Sequence, residues 1–546
     1  MEEYDSLNSL CDNEFENILK TNPLHQSIGI SMESTIVSFK EKKTHHIFDI
    51  ETKDKETKQV FLKYITLVDF LKLLIGKYKN ENTNILPCLE KTKNENSKYE
   101  KYINEPNNYA YVDSFFYWMS SNLSKSSSFP HGILCYDQFI CNKRKCRINI
   151  ADDLEYLCDS NYFNENINKM FHFEDPHVSN LFLSTQKEKI NIDNEVVSLG
   201  DIEELEFIET NDGVQEEECV VVHDDESNEK SDKDDDESSE DDDDDDDSNS
   251  IHTSDEECND SEEDEEDEED DDDEYDEDDE EEESDNESSD DEENVMLKIE
   301  NIPAQVVVLE KCENTFDSLL ENDVLVIEEL ESALFQIIVI LYTYQKLFKF
   351  THNDLHTNNI MYVNTEESHL TYQIQGKYYK IPTHGKIYKI IDFGRAIYTY
   401  QDKLMCSDSF SNNGTAHTQY NFGPYYDPNK PVIEPNYSFD LCRLACSMFD
   451  FICDDIQNIK KYREMTPVYD LIFSWLYDDN GRNMLYRSNG KDKYPGFKLY
   501  KMISKIVHNH VPDNQFSHAC FEKYILQEKP ESIIDIDELV KSSEAK

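Results

Sequence analysis

The chain has 546 residues and a formal net charge of −70, with 121 acidic side chains against 51 basic ones. Roughly two-thirds of that charge falls in residues 223–294, which consist almost entirely of Asp, Glu and Ser. Such a stretch cannot bury enough apolar surface to offset its ordering entropy and self-repulsion, so it is predicted to be disordered. The acidic balance also argues against direct binding to nucleic acid, whose phosphates it would repel.

Local patterns argue against secretion and membrane insertion. The N-terminus is acidic and lacks the apolar core of a signal peptide. No apolar run approaches the roughly 18 residues that a membrane span needs. The 14 cysteines include no C-x-x-C pair, which favours reduced thiols over zinc or disulfides. We therefore expect a soluble intracellular protein.

The first elements along the chain are predicted to be mainly strands. Residues 1–22 predict a short polar helix or arm. Residues 27–39 contain two short β-like runs around a turn that holds Gly29. The apolar run 60–64 predicts a strand with Lys63 embedded in it.

Helical spacing follows in the next segment. Residues 107–123 place apolar side chains at three- and four-residue steps and carry Asp113. A strand is predicted at 129–140, followed by an acid-rich helical stretch to about residue 210. Residues 204–294 form the acidic insertion, and the closure cost of such a loop grows only logarithmically with its length.

The second half opens with a strand-like run and continues with helices. The run covers residues 303–317. Residues 327–350 carry an apolar stripe at helical spacing, which predicts a buried helix. A further helix is predicted at 436–451.

Two motifs in the second half carry the chemistry. His352, Asp354 and Asn359 follow the spacing H-x-D-x-x-x-x-N, and a later apolar run ends in Asp-Phe-Gly at Asp392. Phosphoryl transfer needs a carboxylate at the attacking hydroxyl and oxygen ligands for the metal that bridges the phosphates. The two motifs in this order, each flanked by apolar residues, therefore indicate a phosphotransferase.

These motifs resemble those of the eukaryotic-type protein kinase family. The tripeptide from Asp354 to His356, Asp-Leu-His, is similar to haspin and to small-molecule phosphotransferases. Residues 370–392 look like the insert that haspin carries before its metal-binding Asp. The whole pattern outside the acidic tract is similar to serine/threonine kinases of large nucleocytoplasmic DNA viruses, which would place the protein in a host cytoplasm or a virion.

The resemblance implies roles for the motif residues. Asp354 would be the catalytic base, with His352 and His356 as the other catalytic residues of this loop. Asn359 and Asp392 would hold Mg²⁺, with Mn²⁺ as an alternative, against the phosphates of ATP. The γ-phosphate would pass to Ser or Thr hydroxyls of protein substrates, and the preference for Ser and Thr over Tyr comes from the analogy alone.

The resemblance also implies a nucleotide site in the first half. Lys63 would grip the α- and β-phosphates, and a helix carboxylate would pair with it. Asp113 stands where the family usually has Glu, and Glu105 is the other candidate. Gly29 would lie in the loop that covers the phosphates, although the family's further glycines are missing.

The adenine edge would be met by the end of the 303–317 run. On this mapping Leu309 is the gatekeeper, and the backbones of Glu310 and Cys312 bond the base. These contacts need only backbone groups, so their support is their position before the catalytic loop.

The implied fold is α+β and bilobal, with a small β-rich N-lobe, a helical C-lobe and the disordered acidic insertion within the N-lobe. The predicted segments are an arm at 1–22, N-lobe at 23–203, insertion at 204–294, last N-lobe strand and hinge at 295–312, C-lobe at 313–530 and tail at 531–546.

Two departures from the family pattern affect the expected activity. Asn353 replaces the Arg that pairs with a phosphorylated activation loop, so activity is predicted not to depend on such phosphorylation. His356 replaces a Lys, and a neutral imidazole stabilises phosphate charge less well than an ammonium group. We expect a slow enzyme.

Two other functions remain open. The chain could be a small-molecule phosphotransferase, because Asp-Leu-His also occurs in that class. It could also be a pseudokinase scaffold that binds basic proteins such as histones through its acidic tract. The oligomeric state stays open.

Overall fold

The computed structural model describes residues 14–83, 85–87, 97–151, 153–175, 295–322, 324–412, 414–453, 456–487 and 490–544. Within these ranges the chain is a mixed α+β protein, with a β-rich N-terminal region and most of its helices in the C-terminal half. The predicted acidic insertion at 204–294 lies outside the described residues. In the part of the chain that is described, no helix is both long and apolar enough to cross a membrane.

The N-terminal region is built on one antiparallel sheet. Its strands are β1 (Phe15–Leu19), β2 (Ile36–Lys42), β3 (Ile47–Thr52), β4 (Thr57–Thr66), β5 (Cys135–Asn149), β6 (Phe171–Phe173) and β7 (Met296–Glu310). The strand order is β1-β5-β7-β4-β3-β2, and β6 pairs with β7. Its helices are α1 (Pro23–Ile28), α2 (Phe70–Leu74), α3 (Lys98–Ile103), α4 (Tyr109–Ser127), α5 (Leu154–Cys158) and α6 (Asn161–Asn166).

Strand β4 confirms the strand predicted around Lys63. Its side chains alternate between the two faces of the sheet, as the period of two requires. Val60 and Leu62 are fully buried in one cluster, together with Phe39 and Phe48 of the neighbouring strands. Lys63 therefore points to the opposite face, where helix α4 packs.

The segment around Gly29 differs from its prediction. Residues 23–28 form a helix, because the Asn22 side chain accepts the His25 N–H and Pro23 supplies a fixed φ in the first turn. Gly29 ends this helix in the left-handed conformation, with φ of 72°. Of the two β-like runs predicted in residues 27–39, the first was wrong, whereas the second lies in β2, which begins at Ile36. The predicted polar arm contributes β1, an edge strand paired with β5.

Helix α4 confirms the helix predicted at 107–123. The Asn108 side chain accepts the Ala110 N–H at the N-terminus. Phe116 is fully buried and stacks on Phe350, with ring centroids 4.5 Å apart. The core is therefore continuous from α4 to the segment that follows the long helix of the C-terminal half.

The C-terminal half contains helices and small sheets. Its helices are α7 (Phe316–Glu321), α8 (Ile327–Phe348), α9 (Phe439–Ile452), α10 (Ile459–Met465), α11 (Pro467–Ser474), α12 (Lys498–Ile506), α13 (Pro512–Gln515) and α14 (Ile536–Glu544). Its strands are β8 (Asn314–Thr315), β9 (Ile360–Asn364), β10 (His369–Ile374), β11 (Lys377–Pro382), β12 (Lys386–Ile390), β13 (Ile397–Tyr400), β14 (Lys403–Cys406), β15 (Ile525–Leu526) and β16 (Ile534–Asp535). Helices α8 and α9 confirm the two predicted at 327–350 and 436–451.

The predicted haspin-like insert, residues 370–392, is mostly strand. Strands β10 and β11 form a hairpin whose turn holds Gly376 at φ of 73°, and β12 pairs with β9. Strands β15 and β16 complete the hairpin's sheet. Because β16 and α14 lie in residues 531–546, the segment predicted as a tail belongs to the fold.

Candidate functional site

The site begins with a lysine and a carboxylate from two different elements. The Lys63 Nζ on β4 lies 2.9 and 3.0 Å from the two carboxylate oxygens of Asp113 on α4. Asp113 is buried, with 1% of its side chain exposed. Of the two acids considered from the sequence, the structure brings Asp113 to Lys63, and Glu105 lies outside the helix that carries Asp113.

Asp392 completes a three-residue cluster. Its Oδ1 lies 2.9 Å from the Lys63 Nζ. The Asp113 carboxylate also accepts the Phe393 N–H at 2.6 Å, so the Asp-Phe-Gly segment is tied to α4. The Asp392 side chain is 53% exposed, which leaves it accessible to a ligand. Its φ of 63° is a strained backbone conformation of the kind that concentrates at functional sites.

Tyr117 supports this cluster from one helical turn beyond Asp113. The Asp392 N–H donates to the Tyr117 hydroxyl at 2.9 Å. The Lys63 Nζ lies 5.2 Å from the centre of the Tyr117 ring, within the range of a cation–π contact. The cluster is therefore held by packing as well as by charge.

The pKa values of the two carboxylates in the cluster are shifted in opposite directions. Burial raises the pKa of Asp113 to about 6, against the opposing effect of Lys63. The positive charge of Lys63 lowers the pKa of Asp392 to about 2. The two carboxylates together raise the pKa of Lys63 despite its desolvation. The ammonium group therefore stays charged at neutral pH.

A cavity of about 330 Å³ opens onto the cluster. Lys63, Asp113 and Asp392 line it, together with His45 and His46 from the turn between β2 and β3. The strand–turn–strand unit over the lysine is therefore the β2–β3 hairpin. Gly29, predicted for this position, ends helix α1 and does not line the cavity.

Of the predicted hinge residues, Leu309 and Glu310 lie at the end of β7, in the same sheet as Lys63, and Cys312 follows that strand; none of the three lines this cavity. Leu309 is buried and pairs in register with Phe61 of β4. The Glu310 N–H already donates to the Leu134 carbonyl, and its carboxylate lies 2.6 Å from the Lys389 Nζ. Cys312 is buried, and burial raises the pKa of its thiol to about 12. A contact from Glu310 to an adenine edge would therefore have to use its carbonyl oxygen.

The loop that carries Asp354 is anchored by Asp440 of helix α9. The Asp440 carboxylate accepts the His352 N–H at 2.9 Å and the Asn353 N–H at 2.9 Å. The His352 Nε2 lies 2.9 Å from the Ile391 carbonyl, one residue before Asp392. This contact joins the two sequence motifs, and it gives His352 a positioning role between them.

Asn353 ties the same loop to the segment after the Asp-Phe-Gly motif. Its amide donates to the Arg395 carbonyl at 2.9 Å, and its Oδ1 accepts the Tyr420 hydroxyl at 2.7 Å. Neutral hydrogen bonds thus occupy the position where the family places an Arg. The predicted independence from loop phosphorylation stays a prediction.

Asp354 itself is contacted by two residues that the sequence did not single out. The Tyr500 hydroxyl donates to its Oδ1 at 2.7 Å, and Arg395 lies 3.5 Å from its Oδ2. Both partners come from segments distant in sequence, so no local pattern pointed to them. Tyr117 could have been found, because it follows Asp113 by one helical turn.

Asn359 is oriented by its own loop. Its Nδ2 donates to the Asp354 carbonyl at 3.0 Å and lies 3.0 Å from the Nε2 of His356. Its Oδ1 is therefore the amide atom left to meet a cation. Burial lowers the pKa of His356, so this imidazole is neutral near pH 7.

The donor set fits a nucleotide-bound Mg²⁺. That cation is usually held by one or two protein oxygens plus phosphates and water. The Asp392 carboxylate and the Asn359 amide supply such oxygens, and the Ile391 N–H donates to the Asn359 carbonyl at 3.0 Å, which keeps the two segments adjacent. Among the described residues there is no cluster of three His, Cys, Asp or Glu side chains of the kind that holds a metal without other ligands.

Comparisons with known proteins do not assign a family. No protein-family model matches the chain, and a search of curated proteins finds no significant match.

Proposed function

We propose that the protein is an ATP- and Mg²⁺-dependent protein kinase of the serine/threonine type, with a bilobal kinase-like fold. The observation that carries the proposal is the convergence of Lys63, Asp113 and Asp392, joined through His352 to the loop of Asp354. A charged lysine beside one buried and one exposed carboxylate suits the phosphates of a nucleotide.

The chemistry follows from the placement of these groups. Lys63 binds the α- and β-phosphates while Asp113 holds its ammonium group in position. Asp354 takes the proton of the acceptor hydroxyl while the hydroxyl oxygen bonds to the γ-phosphorus. The bond between the γ-phosphorus and the β-phosphate oxygen breaks, and ADP is released. When bound, Mg²⁺ held by Asn359 and Asp392 neutralises charge on the phosphates.

The neutral state of His356 supports the expectation of a slow enzyme. An imidazole without charge offers the γ-phosphate less stabilisation than an ammonium group. The choice of proteins as phosphate acceptors rests on the resemblance in the sequence. A small-molecule acceptor is the alternative.

The test is transfer from labelled ATP by the purified full-length protein, with histone, casein and the protein itself as acceptors. We expect Mg²⁺-dependent transfer that falls at least about 10³-fold in Asp354→Asn. Equal transfer by the variant would refute the assignment. No transfer to any protein, with ATP binding intact, would shift support to a small-molecule acceptor or a scaffold.

A pH dependence follows from Asp113. Because burial raises its pKa to about 6, protonation below that pH removes its ion pair with Lys63, and we expect kcat/KM for ATP to fall as the pH drops through about 6. The histidines of the cavity do not account for this change, because burial lowers the pKa of His45 to about 4 and also lowers that of His46.

Protonation of Asp113 also changes the stability of the folded protein. A lower pH is expected to raise the contribution of Asp113 to the free energy of unfolding while it lowers kcat/KM. Its pKa is higher in the folded protein than its ordinary value of 3.8, so its contribution to the free energy of unfolding is complete below that value and is lost as the pH rises to about 6. Asp113→Asn is expected to remove both effects, which kinetics and thermal unfolding between pH 4 and 7.5 would detect. If kcat/KM for ATP in Asp113→Asn still fell as the pH dropped through about 6, the pH dependence would belong to another group.

A further inference from the structure

A tyrosine from a distant helix contacts the proposed catalytic base. Helix α12 carries Tyr500, and its hydroxyl donates to the Asp354 Oδ1 at 2.7 Å. Helix α12 is held by Asn436, whose amide donates to the Ser504 carbonyl at 3.3 Å. The Tyr500 ring also stacks on Phe497, with centroids 5.3 Å apart and an interplanar angle of 18°.

Two guanidinium groups fix the Tyr500 ring. Arg395 lies 5.6 Å and Arg443 lies 5.1 Å from its centre, distances at which a cation is attracted to an aromatic face. Arg443 comes from helix α9, which also carries the Asp440 anchor of the catalytic loop. The tyrosine is thus held between the helix that anchors the loop and the segment that follows the Asp-Phe-Gly motif.

The two oxygens of Asp354 are treated differently by this arrangement. Oδ1 accepts a short hydrogen bond from Tyr500, whereas Oδ2 has Arg395 at 3.5 Å, beyond normal hydrogen-bond distance. Burial raises the pKa of the Tyr500 phenol, so its hydroxyl remains a donor at neutral pH. Oδ2 is therefore the oxygen that can turn to an incoming hydroxyl.

We propose that Tyr500 is a positioning residue that holds the Asp354 carboxylate in one rotamer and presents Oδ2 to the acceptor hydroxyl. This inference rests on the proposed function. Small losses of orientation at a general base are costly, because the reacting atoms must be held within a few tenths of an ångström. A tyrosine that instead blocked the acceptor position would slow the enzyme, and its removal would speed transfer.

The kinetic test is Tyr500→Phe, which keeps the ring between Arg395 and Arg443 and removes only the hydroxyl. We expect kcat to fall about tenfold while KM for ATP and for the acceptor stays unchanged. Tyr494→Phe serves as the matched control and is expected to behave as wild type. An unchanged or increased kcat in Tyr500→Phe would overturn the proposal.

A second measurement does not depend on activity. If the hydroxyl bonds Asp354, Tyr500→Phe lowers the Tm of the wild-type protein by more than it lowers the Tm of an Asp354→Ala background, in which only the hydroxyl's bond with Arg443 is left to lose. Equal Tm shifts in both backgrounds, with transfer by wild type intact, would overturn the positioning role alone. Absence of transfer by wild type would overturn the proposed function, and with it the positioning role of Tyr500 in catalysis, even where the Tm shifts show that the contact exists.

Discussion

Replacing Asp392 by asparagine is expected to lower phosphate transfer by at least about 10³-fold. Asparagine keeps the shape of the side chain and removes its charge. The charge is needed at two points, because Asp392 lies 2.9 Å from the Lys63 ammonium group and is proposed to hold the cation at the phosphates. Its 53% exposure means that the folded state does not depend on it for packing.

Transfer from ATP and the Mg²⁺-dependent rise in Tm with nucleotide are the two measurements for Asp392→Asn. Both are expected to be lost, because binding to the folded state is what raises Tm. Asp402→Asn is the matched control: it also has a positive φ, lies exposed in the turn between β13 and β14, and its replacement by asparagine suits that conformation. Retention of Mg²⁺-dependent transfer by Asp392→Asn would show that this carboxylate is not the metal ligand.

Replacing Asp440 by alanine is expected to lower the free energy of unfolding by about 3 kcal/mol and to abolish transfer. The Asp440 side chain is fully buried and accepts the N–H groups of His352 and Asn353. Alanine would leave both donors buried without a partner. It would also release the positive φ of 64° at Asn353, a strained conformation that persists only when its surroundings hold it.

Urea unfolding monitored beside the transfer assay would measure this effect. Asp440→Asn is expected to cost less than Asp440→Ala, because its amide oxygen can still accept a hydrogen bond. Asp450→Ala, at the exposed end of the same helix α9, is the control and is expected to change stability by less than about 0.5 kcal/mol. A stability of Asp440→Ala close to that of the control would mean that the loop is held by other contacts.

Local spacing predicted the parts of the site that lie within single elements. The apolar run 60–64 predicted the strand that carries Lys63, and the helical spacing of apolar residues around Phe115 predicted the helix that carries Asp113. Likewise, one loop contains His352, Asp354 and Asn359, and their contacts to one another span few residues. Such features depend on neighbours in the chain, so the sequence alone was enough to find them.

Capping and the tertiary fold decided the rest. Gly29 was predicted in the loop over the phosphates, but it ends a helix instead, because Asn22 and Pro23 favour a helix before it. The β2–β3 turn over the cavity has no glycine to mark it, so no local signal distinguished it. The prediction of a tail at 531–546 did not include β16, because that strand has only two residues and its pairing with β10 joins segments more than a hundred residues apart in the chain.

At Asp354, too, the local sequence predicted the residue itself, whereas the tertiary fold decided its contacts. Its motif named it as the candidate base, but its partner Tyr500 is 146 residues away in the chain, and Asp440 meets the loop from 87 and 88 residues away. Contacts at such separations leave no spacing that a single sequence can display, because they depend on how helices α9 and α12 pack. The sequence by itself therefore indicated which groups could do the chemistry, whereas the packed structure determined how each of those groups is oriented.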